Sequence, residues 1–247
     1  MIVSLARQPK TLVALAAVCV AVLTSCTQTC GTLVPDTPLT NAALIDRSLM
    51  TDDECVAPCW NGIAPGQSSD ADAMATLGNL ESIEQDSIAR APDDAVPAQA
   101  DYIRWQSAIS RGSPPIGSIR VSDEGHVIEI RSTLEYELPV SKLIDRYGEP
   151  DHFSVRQTAP QCYFAKLFWL ETGLAADLYR VSETGTDSPL ATPETLVYRV
   201  YYFEPVESVS EYWQGATLMP HQEANQMPSA PWEGYDSVRV SALWPAD

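Results

Sequence analysis

The stretch Pro139–Pro150, PVSKLIDRYGEP, decides the fold. A proline near the start fits the first turn of a helix, where its missing N–H costs nothing. Leu143, Ile144 and Tyr147 then recur at helical spacing, and Gly148-Glu149-Pro150 stops the helix as sharply as Pro139 opens it. Strand candidates follow at His152–Arg156, Tyr163–Leu170 and Leu174–Val181. The last two meet at the turn Glu171-Thr172-Gly173. Thr195–Phe203, TLVYRVYYF, is a further strand, rich in aromatic and β-branched residues.

Seventy residues earlier the same text occurs in weaker form. Leu143 falls on Ala73, Ile144 on Met74, Tyr147 on Leu77 and Gly148 on Gly78. Trp60–Gly66 (WNGIAPG) is a turn-rich entry. Ser68 and Ser69 offer N-caps, and Asp70 and Asp72 suit the first turn of a helix carrying Ala73, Met74 and Leu77. Residues 84–100, acidic and rich in Pro and Ala, read as loop. Strands are expected at Tyr102–Ser107, Ile116–Val121 and His126–Thr133, with Asp123-Glu124-Gly125 turning between the last two. A helix followed by a meander, stated twice, predicts an α+β fold of two tandem helix-plus-antiparallel-meander repeats with helices on one sheet face. The repeats span residues 55–135 and 136–204, and Met74 and Ile144 should hold equivalent inward positions. Residues 26–54 read as a linker with a short helix over Asn41–Met50, and 205–247 as an irregular segment with one strand at Ser237–Leu243.

The pattern in Gly66-Gln67, Leu77-Gly78 and Tyr147-Gly148-Glu149-Pro150 resembles the small outer-membrane assembly lipoprotein family, and tandem copies resemble the β-lactamase inhibitor protein fold. The resemblance covers roughly residues 60–204. The first copy departs from it, with Asn79 where a proline would stand. It implies a non-enzymatic envelope protein whose sheet surface contacts another protein.

The leader supports an envelope address. Arg7 and Lys10 precede the apolar run Thr11–Leu23, too short to cross a core of about 30 Å comfortably. Leu23-Thr24-Ser25-Cys26 resembles a lipobox, which implies cleavage of residues 1–25 and a lipid on Cys26, palmitate among its acyl chains. The predicted place is therefore the extracytoplasmic side of a membrane, with the protein lipid-anchored; the sequence does not choose between inner and outer membrane. Net charge is −18, from 15 Lys and Arg against 33 Asp and Glu, and becomes −20 once Arg7 and Lys10 leave. Such a surface repels phosphate backbones and excludes nucleic acid as a partner.

Of six cysteines, Cys19 leaves with the leader and Cys26 takes lipid. Cys30, Cys55, Cys59 and Cys162 remain and admit three pairings. A long bridge to Cys162 would be the stronger staple, about 4.7 against about 2 kcal/mol. Cys55–Cys59 is the expected disulfide, because a local loop needs no particular tertiary fold. No catalytic set is legible: His126, His152 and His221 lack metal-ligand spacing, and no nucleophile elbow occurs. No metal or cofactor is expected. The acidic runs Asp52-Asp53-Glu54, Asp93-Asp94 and Asp123-Glu124 read as solvated turns. Tyr198, Tyr201, Tyr202 and Phe203 read as sheet core, and Trp213, Trp232 and Trp244 are expected to pack against the sheet. The alternative function is an exported enzyme or small-ligand-binding protein with paired carboxylates between the repeats.

Overall fold

The alternation in TLVYRVYYF places Val200 and Tyr202 on one side of a strand and Tyr201 and Phe203 on the other, all four buried. A strand apolar on both sides needs cover on both, and the architecture follows from that. The structure is a computed structural model and describes residues 44–51, 55–92, 100–108, 117–159, 162–178, 189–217 and 228–243. The leader, Cys26 and Cys30 lie outside these residues. Among the described residues no helix is long and apolar enough to cross a membrane.

Among the described residues nine strands form a single antiparallel sheet: β1 Ala89–Pro92, β2 Ala100–Trp105, β3 Gly117–Ser122, β4 Val127–Thr133, β5 His152–Ala159, β6 Cys162–Trp169, β7 Leu174–Leu178, β8 Val197–Phe203 and β9 Ser229–Pro231. Their spatial order is β1-β2-β3-β4-β8-β7-β6-β5-β9. The hairpins at 123–125 and 171–173 are as expected. The second is tight for a visible reason: Gly173 has φ +69°, and a Cβ there would lie 2.1 Å from the Phe203 carbonyl oxygen and 2.9 Å from Pro58 Cβ.

Among the described residues four helices accompany the sheet: α1 Asp70–Leu77, α2 Val140–Tyr147, α3 Val209–Gly215 and α4 Val240–Leu243. Ser69 caps α1 in a capping box, its Oγ accepting from the Asp72 amide and the Asp72 carboxylate accepting from the Ser69 amide. The Ser69 hydroxyl, donating to the Asp72 carboxylate at 2.7 Å, and the Ser69 amide together hold that carboxyl below the usual range. Arg90 of β1 reaches Asp70 at 2.6 Å, tying the helix start to the sheet edge. Pro139 is the N-cap of α2, which ends at Gly148.

The main core lies between the sheet and α1 and α2. One cross-strand row runs Ile103–Ile119–Ile130–Tyr202–Leu174–Trp169. The next begins Trp105–Gly117–Ser132–Val200. Gly117 cannot carry a side chain, since a Cβ would sit 1.9 Å from Trp105 Cζ2. Trp105 stacks on Trp60, ring centroids 5.2 Å apart, and Trp60 donates through Nε1 to Asp46 Oδ2 at 2.7 Å. Ala73 and Leu77 of α1, Val140 and Leu143 of α2, and Val240 of α4 join this core.

Several expectations change. Met74 is 39% exposed, and Ala73 and Leu77 are the inward residues of α1. Not all helices share one sheet face: α3 packs on the opposite face, where Phe168, Tyr201 and Phe203 need cover. Residues 84–100 are not wholly loop, for Gln85–Ser87 is a 3-10 turn and β1 lies within them. In place of an Asn41–Met50 helix, the described part has a 3-10 turn at Ser48–Met50 that buries Leu49. The tail is more regular than its composition suggests, with α3, β9 and α4, and Val240–Leu243 is helix rather than strand.

Leu77 has no exposure, so Leu77→Asp buries an unpaired carboxylate and should cost several kcal/mol of a total near 5–15. Met74→Asp should leave the melting temperature within a few degrees of wild type. Thermal melts of the two variants by circular dichroism test the assignment of the inward face.

Candidate functional site

The second sheet face carries what the sequence did not announce. One of its rows runs Arg104–Ser118–Arg131–Tyr201–Ala175–Phe168. The next runs Thr133–Arg199–Asp177–Lys166–Ser154. Nearer α3 lies the row Tyr102–Arg120–Glu129–Phe203. The period of two that sends Ile, Val and Leu to the main core sends arginines, a lysine and tyrosines here. Among the described residues, Arg104, Arg120, Arg131, Lys166 and Arg199 on these rows face the carboxylates of Glu129 and Asp177 alone, in a chain of net charge −18.

Two tyrosine rings organise the charges. Lys166 Nζ lies 3.0 Å from the Tyr201 ring centroid, and the Arg131 guanidinium 5.8 Å from it. The Tyr201 hydroxyl donates to Asp177 Oδ2 at 2.5 Å, while Asp177 Oδ1 pairs with Lys166 Nζ at 2.9 Å. Three guanidinium carbons surround the Tyr102 ring: Arg120 at 4.9 Å, Arg104 at 5.3 Å and Arg131 at 5.5 Å. Cation–π attraction of about 0.5–2 kcal/mol each helps to offset the crowding of like charges.

Fully buried Glu129 pairs with Arg131 and accepts from the Tyr212 hydroxyl of α3 at 3.3 Å. Arg120 donates to the Tyr102 hydroxyl and to the Ala216 carbonyl at 2.7 Å. Polar bonds and the aromatic packing of Tyr212 on Phe168 and Phe203 thus hold α3 to this face.

Burial pushes the Lys166 ammonium down to about 8, although Asp177 opposes the shift. Burial acts on Arg131 in the same sense, but Glu129 together with Tyr102, Tyr212 and Tyr201 outweighs it and raises the pKa. Burial, then the Asp177 carboxylate, raises Tyr201; burial, then Glu129, raises Tyr212. The arrangement therefore presents fixed cations and neutral phenols at pH 7. Its carboxylates are each engaged by a cation, which suits recognition of an anion better than acid–base chemistry.

Cys55 and Cys59 form the expected disulfide, Cα atoms 5.1 Å apart, around a cis Ala57–Pro58 peptide. Cys162 is disulfide-bonded as well. His126 is exposed beside the β3–β4 turn, and His152 starts β5 with its Nδ1 buried and unbonded; His221 lies outside the described residues. Among the described residues no group of three or more His, Cys, Asp or Glu is placed to hold a metal ion. Trp213 packs on Phe168 and Tyr212, and Trp232 on Tyr235, both half-buried; Trp244 lies outside the described residues. Asp123 and Glu124 are exposed in their turn, and the other two acidic runs lie outside the described residues. Beside Trp60 and Trp105 a cavity of about 20 Å³ has room for a water and little more.

Sequence reasoning missed the charged face. Its signal was present, since Arg104, Arg120, Arg131, Lys166 and Arg199 all sit inside strand text, where a charge needs either solvent or a partner.

No family model, no curated protein and no solved structure matches this chain.

The lowered Lys166 value makes stability depend on pH. Between about 8 and 10.5 the unfolded chain keeps a proton that the folded one has lost, so stability rises with pH through that window. Below it the cost of burying the ammonium is felt in full. Against Lys166→Met, the wild-type protein should gain about 1–2 kcal/mol between pH 7.5 and 9.5, measured by urea denaturation of both proteins.

Proposed function

We propose that this chain is a lipid-anchored protein of the cell envelope, cut before Cys26 and facing away from the cytoplasm, that works as a protein-interaction module rather than an enzyme. One observation carries the reading: the sheet face opposite α1 and α2 gathers arginines and tyrosines around engaged carboxylates. Arginine is among the residues that dominate the energetics of protein contacts, and Arg104, Arg131 and Arg199 are half-buried, held up by buried tyrosines. The inter-repeat carboxylates that an enzyme would use, Glu129 and Asp177, are held by Arg131 and Lys166.

We also infer that the sheet arose from two tandem helix-plus-meander units. The sheet order is consistent with this, for β1 to β4 run inward from one side and β5 to β8 run inward from the other. The fourth strand of each unit then lies at the centre. Ala73 and Leu143, matched by the shift of seventy residues, are both fully buried. The exposed Met74 departs from the match, so the support rests on strand order and on that one buried pair.

Two measurements test the function. Metabolic acyl labelling should mark the wild-type chain and leave Cys26→Ala unlabelled and released from membranes; undiminished label in the variant would remove the anchor. Crosslinking pull-down from native membranes should recover one protein in stoichiometric yield with the lipidated chain, and recovery of none would remove the interaction reading.

A further inference from the structure

Within that interaction reading, the distribution of charge says what kind of partner the sheet face fits. Arg104 and Arg199 are half-buried, and neither forms an ion pair with a described carboxylate. Arg104 lies over the Tyr102 ring, and Arg199 donates to Thr133 Oγ1 at 3.3 Å and the Tyr198 hydroxyl at 3.2 Å. Arg104 is therefore oriented by a neutral ring, and Arg199 by hydroxyls with the Asp177 carboxylate across the ladder from it. Among the described residues, five cations thus meet two carboxylates on this face: Arg104 has none of its own, and Arg199 shares Asp177 with Lys166 while Arg131 holds Glu129.

A guanidinium stacked on a ring keeps its N–H edge available for a carboxylate, which it binds in the bidentate manner. The rest of the chain is acidic, so this positive island is local. Beyond a Debye length of about 8 Å an anion meets mostly repulsion. A densely charged polymer such as a polyphosphate or a teichoic acid is disfavoured by that field. A peptide with a few carboxylates among apolar residues avoids most of it.

We propose that this face docks an extended acidic segment of a partner protein, whose carboxylates are taken by Arg104 and Arg199 with Arg131 between them. Arg104 lies on β2, Arg131 on β4 and Arg199 on β8, three strand spacings from first to last. At about 4.8 Å per spacing this is on the order of 15 Å, the span of about four to five residues of extended chain. The segment therefore crosses the strands with acids at positions i and i+4.

The test uses the lipidated full chain in an uncharged detergent and a fluorescein-labelled, Val-rich ten-residue peptide with Glu at i and i+4. The expected result is saturable binding that falls at least tenfold in Arg104→Gln/Arg199→Gln and between 0.05 and 0.5 M salt. The charge-matched control Lys142→Gln/Arg239→Gln should bind as wild type, and so should Met74→Gln. Footprinting of unmodified protein with phenylglyoxal supplies a readout that needs no variant: the peptide should protect Arg104 and Arg199 and leave Arg239 reactive. No saturable binding, equal loss in the control, or protection elsewhere overturns the proposal. So does displacement of the peptide by polyphosphate or by phosphatidylglycerol vesicles at equal charge, which would make the face a general polyanion or lipid site.

Failure here and failure of the interaction reading separate cleanly. A native partner recovered equally by wild type and by Arg104→Gln/Arg199→Gln would keep the interaction module and sink this surface. Peptide binding lost in that variant, with no partner recovered from membranes, would keep the acidic-segment site and sink the envelope assignment.

Discussion

The pairing of β4 with β8 is the constraint on which the molecule depends. The ladder from Glu129–Phe203 to Thr133–Arg199 joins strands some seventy residues apart in the chain and makes one layer of two meanders. Its alternation places Ile130 and Tyr202 in the main core, and Arg131 and Tyr201 on the opposite side. A slip of one residue would exchange the two sets. It would bury Arg131 among Ile119, Leu174 and the α1 side chains, and expose Ile130. Register is thus fixed by what each face tolerates as much as by the backbone bonds.

The charged face is a device for having polar groups inside a sheet without orphaning them. Glu129 has no exposure, and an unpaired carboxylate there would cost several kcal/mol. Arg131 and the Tyr212 hydroxyl engage it from two directions. Replacing such a set by apolar residues is often neutral or stabilising, so its presence is weak evidence for stability. The stronger argument for the set is what it leaves over: cations oriented by rings and hydroxyls, at a known spacing, on a face that α3 covers beside Phe168 and Phe203.

Much of the fold was legible because local chemistry and tertiary packing agreed. Ser69 and Asp72 announce the start of α1, Gly148-Glu149-Pro150 the end of α2, and both expected hairpin turns carry their glycine. The failures have physical causes. Met74 and Ala73 lie one residue apart on a short helix, and burial went to the smaller side chain, in line with Leu77 one turn on. The expected strand Ser237–Leu243 has strand-forming valines at 238 and 240, yet both are buried in the core, Val238 just after a 3-10 turn and Val240 at the start of α4. The face bearing Arg104, Arg131 and Arg199 was hidden because its partners come from β2, β4, β7 and β8, and register across a sheet is not written in any one strand. The local disulfide was readable for the converse reason, since Cys55 and Cys59 need no distant element to meet.

The sheet's two rims share a property that bears on how the protein lives at high density. β1 reads ARAP and β9 reads SAP, so each outermost strand is at most four residues long and ends in a residue with no amide hydrogen. Arg90 adds a charge to the first rim, paired with Asp70 and Asp101. Short strands, proline and charge are how natural sheets refuse another chain at their borders. A nine-stranded layer with open borders would invite runaway stacking of copies side by side. Here both rims are short and end in proline, which disfavours pairing with another chain at either end.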